Sequence, residues 1–240
     1  MRTLIAIQGR LRSTRFHRKI LEDLDGRPMI AQIAKRCSAV KGAGVLIACP
    51  ENERAEINKA TGVGTVGGPE EDLLTRLLMA ADHDRADVLV RVTGDCPLIC
   101  PDLIDHGLKQ MRKYQAKLVQ NWRPREWPDG FDFEVWSVEL LRELSGKLTG
   151  GDREWFAQWA LDHGVPSVSI PGPKFASNLQ DFRLTVDRPE DLDTVRVLYG
   201  DMRGEVWGAE LVVRWCLDHP KLVKKAYIGT FGSRPTGEIE

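Results

Sequence analysis

Short apolar runs alternate with helical patterns along the first half of the chain. Residues 3–7 (TLIAI) end in polar residues, as a buried parallel strand does at its carboxyl end. Further runs typical of strands lie at 45–48, 63–66, 88–92, 117–119, 131–136, 165–170 and 182–186. Between them, apolar residues repeat at helical spacing over 29–37, 73–81 and 103–111. This alternation of strand and helix predicts a doubly wound α/β sheet.

The pattern becomes less regular after about residue 115. Residues 122–130 (WRPREWPDG) have the composition of a loop and lead into the strand at 131–136, which indicates a mixed sheet in the second half. No stretch has the composition of a linker between domains. We therefore predict one domain over residues 1–228 and a flexible tail over 229–240, where glycine, serine, proline and threonine are frequent.

Composition excludes several classes of protein. The chain has 240 residues, with 34 Lys+Arg against 35 Asp+Glu and a net charge of -1, which argues against a surface that binds nucleic acid as a whole. No stretch approaches the roughly 18 apolar residues of a membrane span, and the N-terminal run is too short for a signal peptide. Five cysteines without a CxxC pair favour a reduced, cytoplasmic protein. From the charge balance and the lack of a membrane span we expect no membrane partner and no nucleic-acid partner.

The loop after the first predicted strand is unusually basic. It holds Arg10, Arg12, Arg15, Arg18 and Lys19 and no acidic residue, so the rest of the chain carries a net charge of -6 against the loop's +5. Ligands of open α/β sheets bind beyond the carboxyl ends of strands, which is where this loop must lie. A polyphosphate would balance such a concentration of charge, and a solvated basic surface loop is the alternative. We call residues 10–19 the basic loop.

Two carboxylates also follow predicted strands. Asp95 comes after the run at 88–92, and Asp187 comes after the run at 182–186. At the same edge of the sheet as a phosphate site, they could hold a divalent cation, because Mg²⁺ typically takes one or two carboxylates plus phosphate oxygens. The alternatives are structural: a turn at Asp95, a helix cap at Asp187, and a cap of the next helix by Asp102.

Several segments together resemble a known family. They are Gln8-x-Arg10, Ser13-Thr14-Arg15, Lys19-Ile20-Leu21, Gly26-x-Pro28-Met29-Ile30, Gly67 to Arg76, Arg91 to Ile99, Pro128-Asp129-Gly130-x-Asp132-x-Glu134-Val135, Arg153-Glu154 and Leu184 to Leu192. In this order they resemble the cytidylyltransferases that activate acidic sugars. The nearest branch is the spore coat polysaccharide biosynthesis type, which is related to synthetases of CMP-3-deoxy-manno-octulosonate and CMP-sialic acids.

The resemblance implies a fold and a reaction. The expected fold is a single Rossmann-like domain with a mixed sheet, of the nucleotide-diphospho-sugar transferase (glycosyltransferase-A-like) type. The expected reaction is the Mg²⁺-dependent transfer of CMP from CTP to an acidic or amino sugar with release of pyrophosphate, for polysaccharide or glycan biosynthesis, by a homodimer.

The resemblance also implies site residues. The nucleotide would be bound by Gln8, Gly9, Arg10, Ser13, Arg15, Lys19, Asp72, Arg76, Thr93 and Gly94. Asp95 and Asp187 would hold Mg²⁺, and with Arg10 and Lys19 they form the expected catalytic set. The acceptor sugar would be bound by Asn121, Asp129, Asp132, Glu134 and Arg153.

The sequence departs from the family pattern at four positions. Arg12 and Arg18 replace glycines, His17 replaces a proline, and Trp155 stands where the family has histidine. An arginine cannot freely replace a glycine that needs positive φ or close backbone approach, so the loop takes another path or its side chains do more of the phosphate binding. Two rival functions remain at this point: a glycosyltransferase that uses a nucleotide sugar, and a nucleotide-binding or nucleic-acid-binding protein without turnover.

Overall fold

The computed structural model describes residues 1–202 and 206–223. The strands found in these residues are β1 (Thr3–Gln8), β2 (Asp23–Leu24), β3 (Arg27–Pro28), β4 (Ala43–Pro50), β5 (Thr65–Gly68), β6 (Val88–Thr93), β7 (Leu118–Gln120), β8 (Phe133–Ser137) and β9 (Val168–Ser169). The helices are α1 (Met29–Cys37), α2 (Glu51–Thr61), α3 (Leu73–Asp84), α4 (Pro101–Tyr114), α5 (Val138–Ser145), α6 (Phe156–Asp162), α7 (Pro189–Asp201), α8 (Ala209–Asp218) and α9 (Pro220–Val223).

Seven of the strands form one sheet in the order β5-β4-β1-β6-β8-β7-β9. The pairs from β5 to β6 are parallel, and β8 runs antiparallel to both β6 and β7. The predicted mixed sheet is therefore confirmed. Because β1 and β6 are adjacent and parallel, Gln8 lies beside Thr93 and both strands end at the same edge.

Helices cover both faces of this sheet, as the doubly wound prediction requires. One core contains Ile5 and Ile7 of β1 and packs against α1, α4, α7 and α8. The other contains Leu4 and Ala6 of the same strand and packs against α3, α5 and α6. Alternate residues of β1 thus enter opposite cores, which explains why this strand is an uninterrupted apolar run in the sequence.

The predicted strand at 182–186 differs from the structure. This segment makes only an isolated parallel bridge between Arg183 and Asp129. Its backbone pairs with loops instead of a strand: Leu184 N–H donates to Asp129 O at 2.7 Å, and Val186 N–H donates to Asp95 O at 2.9 Å. The apolar pattern was that of a buried extended segment, and burial alone does not provide a neighbouring strand. The bond to Asp95 brings Asp187 next to that residue.

Other expectations have simpler outcomes. The three predicted helices are present, and the predicted strand at 165–170 is reduced to β9. All five cysteines are buried and form no disulfide. None of the helices in the described residues combines the length and apolarity needed to cross a bilayer. The predicted tail at 229–240 lies outside the described residues.

Candidate active site

A cavity of about 640 Å³ opens at the edge of the sheet where β1 and β6 end. Its lining combines the basic loop, both strand-end carboxylates and part of the segment between β5 and α3. The lining residues are Gln8, Arg10, Arg12, Ser13, Thr14, Arg15, His17, Lys19, Ile20, Glu70, Glu71, Thr93, Gly94, Asp95 and Asp187. The structure therefore brings together most of the predicted nucleotide-binding residues where α/β sheets bind their ligands.

Lys19 joins the two carboxylates at the centre of this cavity. Its Nζ lies 3.1 Å from Asp95 Oδ2, 2.9 Å from Asp187 Oδ1 and 2.8 Å from Val186 O. Burial alone would lower the pKa of Lys19, but the attraction of both carboxylates outweighs it and the pKa is raised. Burial would raise the pKa of Asp95, and Lys19 together with a hydrogen bond from Thr93 lowers it instead. Lys19 and Asp95 are therefore held in their charged forms.

Asp95 is fixed by a tight turn at the end of β6. Gly94 N–H donates to Gln8 O at 2.8 Å, and Cys96 N–H donates to Thr93 O at 3.2 Å. A Cβ at position 94 would lie 2.7 Å from Gln8 O, so only glycine permits this approach of the two strand ends. Gly94 thus acts by bringing the backbones of β1 and β6 together.

Asp187 does not cap the helix that follows it, so that alternative is wrong. Arg188 is the N-cap of α7, and Asp191 Oδ2 accepts from the backbone N–H groups of both Asp187 and Arg188 at 2.9 Å. The Asp187 carboxylate accepts from Lys19, from Arg15 at 2.7 Å and from Arg183 at 2.5 Å. These three cationic side chains fix the orientation of the Asp187 carboxylate at the wall of the cavity.

Asp102 also differs from its predicted role. It lies inside the first turn of α4, whose N-cap is Cys100. Both of its carboxylate oxygens lie 3.0 Å from the backbone N of Ala209, the first residue of α8. Asp102 therefore stabilises the start of a helix 107 positions away along the chain.

The arginines of the basic loop are paired with acidic residues from distant segments. Arg12 binds Glu70 at 3.1 Å, Arg10 lies 3.8 Å from Glu154, and Arg18 binds Glu56. The alternative of a fully solvated basic loop is therefore wrong, because these arginines are paired with carboxylates. These ion pairs are at least partly exposed to solvent, so each contributes little to stability and can be exchanged for contacts to a phosphate.

The two glycine replacements in the basic loop have different consequences. Arg18 has φ 58° and ψ 20°, which is the left-handed region that favours glycine. Arg12 is not among the non-glycine residues with positive φ in the described chain. Leu11 N–H donates to the buried Glu53 carboxylate at 2.6 Å and fixes the backbone immediately before Arg12. At Arg18 the loop therefore adopts a conformation suited to glycine, whereas Arg12 adds a side chain at the cavity.

This backbone strain predicts a difference between two variants. Arg18→Gly and Arg18→Val both lose the exposed Arg18–Glu56 ion pair, but only glycine accepts positive φ without strain, and a β-branched residue is disfavoured most. We expect Arg18→Val to melt about 4 °C below Arg18→Gly. Thermal unfolding followed by circular dichroism measures the difference. Equal melting temperatures would show that position 18 carries no strain.

Asp72, Arg76 and Gly9 do not line the cavity. Asp72 caps α3 by accepting from Thr75 N–H at 2.9 Å, and it also accepts from Arg153 Nε at 2.7 Å. Arg76 is buried and donates to the carbonyl oxygens of Pro69 and Glu70 at 2.7 and 2.5 Å. These two residues shape the segment that carries Glu70. A Cβ on Gly9 would lie 2.5 Å from Ile30 Cδ1, so Gly9 allows β1 to pack closely against α1.

The predicted acceptor-binding residues are not brought together at the cavity. Asn121 is buried, donates to Phe131 O at 2.8 Å and accepts from Phe133 N–H at 3.0 Å. Arg153 does not line the cavity and binds Asp72. In the structure, Asn121 stabilises a loop and Arg153 stabilises the start of a helix.

The three predicted acceptor carboxylates are each paired with arginine. Asp132 binds Arg125 through both oxygens, at 2.8 and 2.7 Å. Glu134 is buried, lies 3.0 Å from Arg91 Nε and has its pKa raised by burial. Asp129 is the member of this set linked to the cavity, because Arg183 lies 3.5 Å from it and also binds Asp187.

Three residues at or beside the cavity were not among the residues expected from the sequence: Arg183, Glu70 and Glu71. Arg183 contacts Asp129, Asp187 and Asp191, on the loop before β8 and at the start of α7. Its signal in the sequence was its position four residues before Asp187, inside the same extended segment. Glu70 and Glu71 belong to the acidic stretch that the family resemblance singled out, but only the fold places them opposite the basic loop.

The buried carboxyl of Asp129 predicts a pH effect. Burial and the charges of Asp132 and Asp95 raise its pKa from 3.8 to about 7, against the opposing attraction of Arg125 and Arg183. A raised pKa in the folded state means that stability is lost as the pH rises from 4 to 7. Asp129→Asn removes this loss, and we expect it to be more stable than the wild type by at most about 4 kcal/mol above pH 7, with no advantage at pH 4.

Urea denaturation of both proteins between pH 4 and 8 tests this expectation. Asp193→Asn, at an exposed position of α7, provides a control whose stability should follow the wild-type curve. Parallel curves for Asp129→Asn and the wild type would mean that Asp129 ionises as it does in water.

Comparison with known proteins agrees with this geometry. A family model described as cytidylyltransferase matches residues 4–129. The 3-deoxy-manno-octulosonate cytidylyltransferase of Chloroherpeton thalassium is 35% identical over 111 residues, which are 45% of this chain and 45% of that protein. The protein of the same name from Xanthobacter autotrophicus is 37% identical over 113 residues, 45% of this chain and 44% of that protein. The chain thus matches about half the length of these curated relatives.

Solved structures extend the similarity of fold beyond the matched half. A cytidylyltransferase from Leptospira borgpetersenii superposes with a TM-score of 0.85 at 24% identity, covering 96% of this chain and 100% of the other. A CMP:2-keto-3-deoxy-manno-octonic acid synthetase complexed with CTP gives a TM-score of 0.64 at 18% identity, covering 84% and 99%. At these identities the similarity establishes the fold, and the expected single Rossmann-like domain is confirmed.

Proposed function

The chain belongs to the cytidylyltransferase family, and on that premise we propose that it transfers CMP from CTP to an acidic or amino sugar and releases pyrophosphate. One observation carries the proposal: one cavity is lined by two carboxylates joined by Lys19 and by three arginines of the basic loop, Arg10, Arg12 and Arg15. The acidic acceptor is supported by the relatives, whose names contain the acidic sugar 3-deoxy-manno-octulosonate.

The cavity has the groups that a metal-bound nucleoside triphosphate requires. Asp95 Oδ2 and Asp187 Oδ1 both lie within 3.1 Å of one ammonium group, so their oxygens converge on a point already occupied by a cation. Two converging carboxylates beside a phosphate site suit Mg²⁺, which takes its remaining ligands from phosphate and water oxygens. We therefore assign Asp95 and Asp187 as the residues that would hold Mg²⁺.

The residues of the cavity then have different roles in the reaction. Bound Mg²⁺ would supply charge neutralisation at the α-phosphate and would lower the pKa of the attacking hydroxyl. Arg10, Arg15 and Lys19 neutralise the triphosphate and the charge that develops on the departing pyrophosphate. The acceptor hydroxyl attacks the α-phosphorus, its proton leaves to solvent, and the bond to the bridging oxygen of pyrophosphate breaks. Rate enhancement rests on alignment and charge and needs no covalent intermediate.

Two assays test the proposed function. Isothermal titration calorimetry with ATP, CTP, GTP and UTP in the presence of Mg²⁺ should give the strongest binding for CTP. A pyrophosphate-release assay with CTP and a panel of acidic and amino sugars should identify at least one acceptor. Flat calorimetric traces for all four nucleotides would refute the nucleotidyltransferase, and release of a nucleoside diphosphate from a nucleotide sugar would indicate a glycosyltransferase instead.

Three further expectations accompany the proposal. We expect a cytoplasmic protein, a homodimer, and no affinity for nucleic acid. Cell fractionation checks the first and light scattering checks the second. Titration with RNA at increasing salt checks the third, because a nucleic-acid site would show affinity that falls steeply with salt concentration.

A further inference from the structure

An ion pair connects two walls of the cavity. Arg12 belongs to the basic loop and Glu70 to the segment between β5 and α3, and both residues line the cavity. Arg12 Nη1 lies 3.1 Å from Glu70 Oε1, and the exposed fractions of the two side chains are 74% and 25%. An ion pair this exposed is weak and reversible. The arginine can therefore leave Glu70 when a stronger anion enters the cavity.

The position of Glu70 is prepared by a buried residue. Arg76 is 1% exposed and donates to the backbone carbonyls of both Pro69 and Glu70. The Arg76 side chain therefore fixes the backbone at Pro69 and Glu70. Of the two partners, Glu70 is thus held by the fold, whereas Arg12 extends from a loop on a long and mostly exposed side chain.

The charges at this position act in opposite ways on an anionic ligand. Glu70 and Glu71 repel a polyphosphate, while Arg12 attracts it once released from Glu70. The balance depends on how much negative charge the ligand brings. The phosphate of a nucleoside monophosphate would be held by Lys19 and the Asp95–Asp187 site. It would bring no negative charge near Arg12, so the Arg12–Glu70 ion pair would remain. A triphosphate adds the negative charge of its two outer phosphates, which is sufficient to compete with the Glu70 carboxylate for Arg12.

We propose that Arg12 is a specificity-determining residue that exchanges Glu70 for the outer phosphates of the nucleotide and so makes the cavity prefer triphosphate over monophosphate. The inference rests on the proposed function, because it takes the ligand of the cavity to be a cytidine nucleotide. Glu70 holds Arg12 when the cavity contains no polyphosphate. The two residues then have opposite effects on CTP affinity, although they form one ion pair.

Calorimetric titration of CTP and CMP in the presence of Mg²⁺ tests the proposal. We expect Arg12→Gln to weaken CTP binding about tenfold, the effect of losing a charge-assisted contact, and to change CMP binding less than twofold. We expect Glu70→Gln to strengthen CTP binding about threefold. Glu71→Gln removes the same charge from the same cavity but leaves the Arg12–Glu70 pair in place, so it should strengthen CTP binding less than Glu70→Gln does.

Several outcomes would overturn the inference. They are equal losses of CTP and CMP affinity in Arg12→Gln, an unchanged CTP affinity in that variant, equal gains in the two glutamate variants, and a wild type that binds neither nucleotide. Arg142→Gln, which breaks an exposed pair with Asp82 away from the cavity, controls for the loss of one surface charge. If the wild type binds CTP but converts no acceptor, the proposed function fails, and the ratio of CTP to CMP affinity still decides the role of Arg12.

Discussion

Asp187→Asn is expected to lower the rate of pyrophosphate release by a factor of about 10² to 10³. The amide has nearly the same volume as the carboxylate, so packing is preserved while the charge that holds a metal ion is lost. Asp187 binds Lys19, Arg15 and Arg183, and the substitution weakens all three contacts. Asp95→Asn should cause a loss of similar size, and the double variant should lose little more, because both carboxylates hold the same cation.

Asp193→Asn is the matched control for this prediction. Asp193 lies on α7 six positions after Asp187, is 72% exposed and pairs only with Arg196 of the same helix among the ion pairs of the described chain. Its rate should remain within about twofold of the wild type. A rate for Asp187→Asn within about tenfold of the wild type would mean that the metal assignment of Asp187 is wrong.

The centre of the site could be predicted because it follows from local rules. An apolar strand that ends in a turn places the next residues at the carboxyl edge of the sheet, and this rule located Asp95 and the basic loop. Asp187 was located for the same reason, although its segment is not a strand. It reaches the site because Val186 bonds to the backbone of Asp95, and a buried extended segment needs some such partner for its polar groups.

The partners of the charged residues could not be predicted, because they come from distant parts of the chain. Arg12 meets Glu70, which lies 58 positions later, and Arg15 meets Asp187 after 172 positions. Periodicity and strand-end rules describe the direction of a side chain but not its distant neighbours. The same limit applies to Asp102, whose role in capping α8 depends on the packing of two helices.

Some residues were expected to bind ligands only because of the family resemblance, and their contacts in the structure are structural. Asp72 and Arg153 bind each other and hold the start of α3, and Asn121 bridges the backbone of Phe131 and Phe133. Trp155 is the N-cap of α6, is 43% exposed and does not line the cavity, so its replacement of histidine does not alter the cavity wall. Assignment to the spore coat branch of the family stays a prediction.

Lys19→Met is expected to separate the roles of the ammonium group in stability, metal binding and turnover. The three protons of Nζ are directed at Asp95, Asp187 and Val186 O. Without them, Asp95 and Asp187 lose the cation that they share, although Asp187 keeps Arg15 and Arg183. We therefore expect the free energy of unfolding to fall by about 3 kcal/mol in the absence of divalent ions. We also expect CTP turnover to fall about 100-fold, because the triphosphate loses a positive partner.

Affinity for a divalent ion should change in the opposite direction. Because the ammonium occupies the point on which the two carboxylates converge, it competes with any cation that binds there. Calorimetry with Mn²⁺ and no nucleotide should therefore show binding about tenfold tighter in Lys19→Met than in the wild type. Mg²⁺ should raise the melting temperature of the variant more than that of the wild type, and Lys19→Arg, which keeps the charge, should resemble the wild type in both measurements. An unchanged Mn²⁺ affinity in Lys19→Met would show that the cation binds elsewhere and that Asp95 and Asp187 serve only to hold the lysine.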